Sequence, residues 1–112
     1  MHFDYNDLAS LQAAAAGAGN DLAAILVTAF RHDYGRDLEL PTPEFAKAAR
    51  AACDAADAAL IVDEVRAGLR LDLRGSWEAL GVRPDLAAWS KAIANGYALA
   101  AVTGNDRFRD AA

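Results

Sequence analysis

A chain of 112 residues with 54% hydrophobic and 24% charged residues has the make-up of one small globular domain, not of a disordered segment. A net charge of −5, a pI near 4.8 and no concentration of Lys or Arg exclude the basic face that nucleic acid requires, and a single cysteine, Cys53, excludes an intrachain disulfide or a cysteine-based zinc site. No apolar run approaches the ~20 residues of a bilayer span, and Met1-His2-Phe3-Asp4 has no signal-peptide pattern, so the cytoplasm is the expected compartment.

Alanine supplies 29 of the residues and buries little area per side chain, so the core must rest on the Leu, Ile and Val runs and the few aromatics. A first helix is expected to start with Asn6 as its cap, with Leu8, Leu11 and Ala15 on one face, and to end at Gly17, Gly19 and Asn20. The run Ala23-Ala24-Ile25-Leu26-Val27 suits a strand covered on both faces. From Ala29 to Pro41 the pattern is irregular and reads as a long loop carrying Arg31, His32, Asp33, Tyr34, Gly35, Arg36 and Asp37.

Thr42, Pro43 and Glu44 punctuate the start of a second helix. Phe45, Ala49, Ala52 and Ala56 fall on its inner side; Glu44, Lys47, Arg50, Asp54 and Asp57 read as a solvated face, with Arg50 and Asp54 one turn apart. Cys53 lies in this helix and reads as a packed small hydrophobe. Ala59-Leu60-Ile61-Val62 then forms a second strand that ends in Asp63-Glu64. Leu86-Ala87-Ala88-Trp89 gives a third, ending in Ser90-Lys91, and Ala98 to Val102 a fourth. Trp77 and Trp89 read as packing anchors, and His32 as a loop histidine able to pair with Asp33. The fold class expected is α/β with a mostly parallel sheet and no internal repeat.

In open parallel sheets, ligands collect beyond the carboxyl ends of the strands. Asp63 and Lys91 both stand at such ends. Topology alone leaves two readings open, a simple ion pair or a ligand site.

The local sequence is more specific. Leu60-Ile61-Val62-Asp63-Glu64-Val65 with Ala67-Gly68-Leu69-Arg70 resembles the LIFDEVxTGFR segment of class-III pyridoxal-phosphate aminotransferases, a family that includes glutamate-1-semialdehyde aminomutase. Gly81-Val82-Arg83-Pro84-Asp85-Leu86 resembles its GVTPDL, and Ser90-Lys91-Ala92-Ile93-Ala94-Asn95-Gly96-Tyr97 its GKAMANGYP. Asp63 and Lys91 are 28 positions apart (91 minus 63), as in that family. Tyr5-Asn6-Asp7-Leu8 matches a helix start upstream in the same enzymes. Thr28, Ala67, Leu69 and Ala98 depart from the pattern, Thr28 standing where the family usually has Glu.

The resemblance implies a partial three-layer, fold-type-I large domain spanning residues 1–112, without the upstream phosphate-binding loop or the downstream small domain. It implies pyridoxal 5'-phosphate as cofactor, with Lys91 as the Schiff-base lysine and proton carrier. Asp63 would face the pyridine nitrogen and keep it protonated, because a nearby anion favours the charged form. Val65 would pack on the ring, with a plain core valine as the equal alternative. Glu64 receives no catalytic step.

The implied partners are a small-molecule amino donor and a carbonyl acceptor, with no nucleic acid, no membrane and no metal, and the full-length relatives are expected to be homodimers. As a fragment, the isolated chain is expected to be marginally stable, aggregation-prone and inactive. Three other readings stay open: an aminomutase using the same chemistry within one molecule, a receiver-type phosphoacceptor domain, and a segment that acts only when joined to the rest.

Overall fold

The computed structural model describes residues 1–33 and 35–109. Three strands fall where the apolar runs put them: β1 (Ala24–Thr28), β4 (Ala59–Asp63) and β5 (Leu86–Trp89). They pair in parallel in the order β1-β4-β5, with Thr28 opposite Asp63 and Asp63 opposite Ala88, so their carboxyl ends form one edge. A fourth strand, β6 (Ala101–Gly104), closes the other side and runs antiparallel to β5. This strand begins later than the expected Ala98. The connection over residues 90–100 is too short for a crossover, so the chain turns back instead.

Helix α2 (Pro43–Ala55) follows from its punctuation. The Thr42 hydroxyl accepts from the Phe45 amide at 3.2 Å and Pro43 occupies the first turn. Its buried face is Phe45, Ala46, Ala49 and Cys53, all at 0% exposure, and this face packs on β1 and β4. Ala52 is half-buried and Ala56 is exposed, because Ala56 is the residue that caps the helix. Cys53 packs as expected: burial pushes its thiol up, and its Sγ donates to the Ala59 carbonyl at 3.4 Å. Full burial of a Phe or Leu side chain here stabilises by roughly 1.5–3 kcal/mol. The core joins Phe45, Ile25, Val27, Leu60, Val62, Trp77 and Val82.

Helix α1 (Leu8–Ala18) is capped by Asp7, whose side chain accepts from the Ser10 amide at 2.9 Å, not by Asn6. Asn6 takes a left-handed backbone, φ 62°, a conformation that Asn tolerates better than most residues. There its side chain ties the N-terminus to the segment before α2, through the Leu40 carbonyl at 2.9 Å and the Thr42 amide at 2.9 Å. Leu11 is buried on the inner face, whereas Leu8 is 38% exposed.

Two further expectations over the first half are corrected. β1 alternates, with Ile25 and Val27 buried and Leu26 64% exposed, because the helices cover one face of this edge strand and not both. The stretch from Ala29 to Pro41 is not a plain loop. It contains a hairpin of β2 (Arg31–Asp33) and β3 (Arg36–Glu39), turned at Gly35 with φ 82°. Polar contacts stand where apolar alternation is missing: across the strands Arg31 reaches Glu39 at 4.0 Å and His32 Nδ1 lies 3.2 Å from Asp37, in place of the expected Asp33, while Arg31 also pairs with Asp33 of its own strand at 2.7 Å. Tyr34, named in that stretch, lies outside the described residues.

Candidate active site

The site stands at the carboxyl edge of the parallel strands. Asp63 is the last residue of β4, and its carboxylate Oδ1 accepts from the Val65 amide at 2.8 Å, which turns the chain sharply out of the sheet. Its carbonyl accepts from the Ala29 amide at 3.1 Å, and the Glu64 amide donates to the Ala88 carbonyl at 2.9 Å. The end of β4 is thus held on both sides by its neighbours.

Lys91 follows β5 by two residues and opens a short 3-10 turn, Lys91–Ile93. Its backbone is left-handed, φ 49°, a region that costs a non-glycine residue on the order of 1–3 kcal/mol and that gathers at functional positions. The turn is closed by the Ala94 and Asn95 amides, which donate to the Lys91 carbonyl at 3.0 Å each.

Asp63, Val65 and Lys91 line one cavity of about 440 Å³, together with Thr28, Phe30 and Arg66. The structure therefore brings together all three residues singled out from the sequence. Among the described residues, no ion pair within 4.0 Å joins Asp63 to Lys91, so the bland ion-pair reading fails. A neighbouring cavity of about 450 Å³ shares Phe30, His32, Arg66 and Lys91 with the first.

The residues present fit the ring and aldehyde of pyridoxal phosphate. A carboxylate that has given one contact to Val65 N retains acceptor capacity for a heterocyclic N–H. Val65 and Phe30 supply apolar wall, and an exposed lysine stands on the same cavity. The volume lies within the roughly 300–1,000 Å³ of small-molecule sites.

Phe30 and Arg66 carry no sequence signal, and Glu64, given no catalytic step, has partners that its motif does not reveal. Glu64 is buried at 2% exposure, and its carboxylate accepts from the Ser76 amide at 2.6 Å and the Ser76 hydroxyl at 2.5 Å. The neighbouring Trp77, 1% exposed, donates from Nε1 to the Ala29 carbonyl at 2.9 Å. The Gly68 amide donates to the Glu64 carbonyl at 2.7 Å, and a Cβ at Gly68 would meet the Trp89 ring at 2.7 Å. Trp89, the other expected anchor, is only half-buried and donates to the Thr103 hydroxyl at 2.7 Å.

At the opposite edge, Asp85 accepts from Arg50 at 2.7 Å, from the Leu60 amide at 2.8 Å and from the Asn105 side chain at 2.8 Å. Burial alone would raise this carboxyl. The Leu60 amide, Arg50 and Asn105 outweigh it and hold the group below the ordinary carboxylate range. Arg50 also reaches Asp54 at 2.8 Å, as its helical spacing predicts, but its tie to Asp85 means that it is not merely part of a solvated face.

Comparison with known proteins agrees with this geometry. The family model for class-III aminotransferases matches residues 3–112. An aminopentol aminotransferase of Sphingopyxis macrogoltabida is 45% identical over 111 residues, covering 99% of this chain and 26% of the relative. A glutamate-1-semialdehyde 2,1-aminomutase of Neisseria meningitidis is 39% identical over 101 residues, covering 90% of this chain and 23% of the relative. The solved structure of the Sphingopyxis sp. MTA144 FumI protein, in its PLP internal aldimine form, superposes with a TM-score of 0.95 at 44% identity, covering 99% of this chain and 27% of that one.

The chain belongs to the class-III aminotransferase family. Its mostly parallel sheet is part of the fold-type-I architecture of the pyridoxal-phosphate transferases. It spans about a quarter of the length of the relatives it matches. Family membership removes the phosphoacceptor reading, which also lacked an acidic pair after β1, where Thr28-Ala29 stands.

Proposed function

We propose that this chain contributes to a pyridoxal-phosphate-dependent aminotransferase that moves an amino group from a small-molecule donor to a carbonyl acceptor. The observation that carries the reading is one cavity lined by Asp63, Val65 and Lys91 at the carboxyl edge of a parallel sheet. Pyridoxal phosphate, when bound, supplies an aldehyde that accepts and returns the amino group and a ring that withdraws electrons from the reacting carbon.

Lys91 Nζ would hold the aldehyde covalently at rest and, once displaced, move a proton at the carbon that bears the amino group. The Asp63 carboxylate would hold a proton on the pyridine nitrogen, since an adjacent anion stabilises the cationic form. Val65 would press on the ring face and fix its tilt. Transfer between two molecules, and not within one, is supported by the higher identity to the relative named an aminotransferase than to the one named an aminomutase.

The same reading makes residues 1–112 an incomplete piece of the cofactor-binding large domain, supported by its quarter-length coverage of its relatives. It extends to a homodimeric whole in the cytoplasm, for which the exposed Tyr97 and Leu99 just beyond Lys91 offer apolar surface to cover. No helix among the described residues is long and apolar enough to cross a membrane.

The test uses the two lysines of the chain, Lys47 and Lys91. Pyridoxal phosphate is added, the mixture is reduced with borohydride, and the modified peptide is mapped. A label confined to Lys91 is expected. A label on Lys47 overturns the assignment.

A further inference from the structure

We propose that Glu64 is a positioning residue that acts through Asp63, holding the carboxylate of its neighbour at the angle the cofactor ring needs. The inference rests on the reading of Asp63 as the group facing that ring. Glu64 itself takes no part in that reading, and nothing about a parallel strand end requires a buried acid at this position.

The environment of Glu64 is unusual for a carboxylate. It is 2% exposed and receives two donors from Ser76, at 2.6 and 2.5 Å. Arg74 and Arg83 line the cleft beside it, yet both are paired with Glu78, at 3.3 and 3.1 Å. A buried acid held by neutral donors alone is a costly way to pack a loop, and an apolar side chain of similar size would do so with less desolvation. What an apolar residue would lose is direction. Two short hydrogen bonds fix both the distance and the rotation of the segment they hold.

That segment is tied in a closed circuit. Ser76 is bound to Glu64, and its neighbour Trp77 to the Ala29 carbonyl at 2.9 Å. The Ala29 amide donates to the Asp63 carbonyl at 3.1 Å, and Asp63 precedes Glu64 in the chain. Two consecutive residues of one loop thus grip the ends of β4 and β1 together, with Asp63 between the grips. The Gly68 amide, bound to the Glu64 carbonyl at 2.7 Å, fixes the exit of the turn that carries Val65. Among the described residues, the Asp63–Val65 contact at 2.8 Å is the hydrogen bond that sets the carboxylate's orientation, and it branches from this circuit at Asp63.

The experiment is a comparison of the full chain with its Glu64→Ala, Glu64→Gln and Ser76→Ala variants. The first readout is native-state hydrogen exchange at the Val65 amide, which needs no cofactor. Exchange at Val65 is expected to quicken at least tenfold in Glu64→Ala while Ile61 and Val62 keep their protection. Gln offers an oxygen to the Ser76 amide and a donor to its hydroxyl, so Glu64→Gln is expected to restore protection. If Glu64→Ala fails to fold, Ser76→Ala, which removes only the hydroxyl bond, is expected to give the same local change at smaller size.

The second readout is the dissociation constant of pyridoxal phosphate in a double-mutant cycle with Asp63→Asn. The double variant is expected to bind no more weakly than Asp63→Asn alone, because both substitutions remove one effect. Unchanged Val65 exchange, or additive losses in the cycle, overturns the proposal. Loss of Val65 protection in a chain that takes up no cofactor supports the positioning role and counts against the cofactor reading instead.

Discussion

Two aspartates stand at opposite edges of the sheet and are used in opposite ways. Asp85, at the amino edge, accepts from Arg50, Leu60 and Asn105, and so spends its acceptor capacity on the fold. Asp63, at the carboxyl edge, spends one contact on Val65 and keeps the rest turned to a cavity that it shares with Lys91. The same side chain is a structural knot where its lone pairs are saturated and keeps acceptor capacity where they are not. Residue type and strand-end position do not separate the two cases. The number of donors does.

The contrast can be broken at either edge. The largest effect is expected at the site: on the proposed function, Asp63→Asn in the whole protein should lower amino transfer about 10²–10³-fold, the scale of removing one preorganised electrostatic group. Its cost in urea denaturation should stay under about 1 kcal/mol, since one hydrogen bond is disturbed. Steady-state rates and unfolding curves on the same preparation check both halves of this statement.

Asp85→Ala should reverse the pattern. It is expected to cost about 2–3 kcal/mol of stability, because the buried Leu60 amide and Arg50 lose a charged partner. If Asp85→Ala were as mild as Asp63→Asn in urea, the distinction between the two edges would not stand.

Acid sharpens the comparison further. The folded Asp85 carboxyl lies below its ordinary value, so its contribution is complete above the unfolded-state value near 3.9 and is lost as pH falls through the lower folded value. The melting temperature should therefore drop below about pH 4, and the drop should be shallower in Asp85→Asn. The smallest expected effect lies away from both edges. Thr42→Ala removes the cap of α2 and should cost about 1 kcal/mol by thermal unfolding.

Much of this arrangement was legible in the sequence, for local reasons. β4 and β5 are short apolar runs that stop at polar residues, and α2 is marked by Thr42 and Pro43, so their placement follows from neighbours along the chain. Asp63, Val65 and Lys91 stand out in the sequence because strand ends and motif spacing are one-dimensional signals, and all three line one cavity.

What escaped depends on contacts between distant segments. The β2–β3 hairpin is joined across its glycine turn by Arg31 with Glu39 and His32 with Asp37, and carries no apolar alternation to announce it. Glu64 with Ser76 and Trp77 with Ala29 join residues whose partnership no periodicity encodes. Asn6 was read as a cap because its type suits one. Its left-handed backbone sends the side chain to Leu40 and Thr42 instead, and leaves the capping to Asp7.

Gly68 lets the two walls of the cavity come close together. The turn after β4, which carries Val65, and the end of β5, which leads to Lys91, touch where this residue has only hydrogen to offer, with the Trp89 ring 2.7 Å from where a methyl carbon would sit. Even alanine would act as a wedge, driving the indole and the backbone beside the lysine away from the carboxylate. Random mutagenesis that tolerates change widely over the outer surface should therefore find this position closed, although it bears no reactive group.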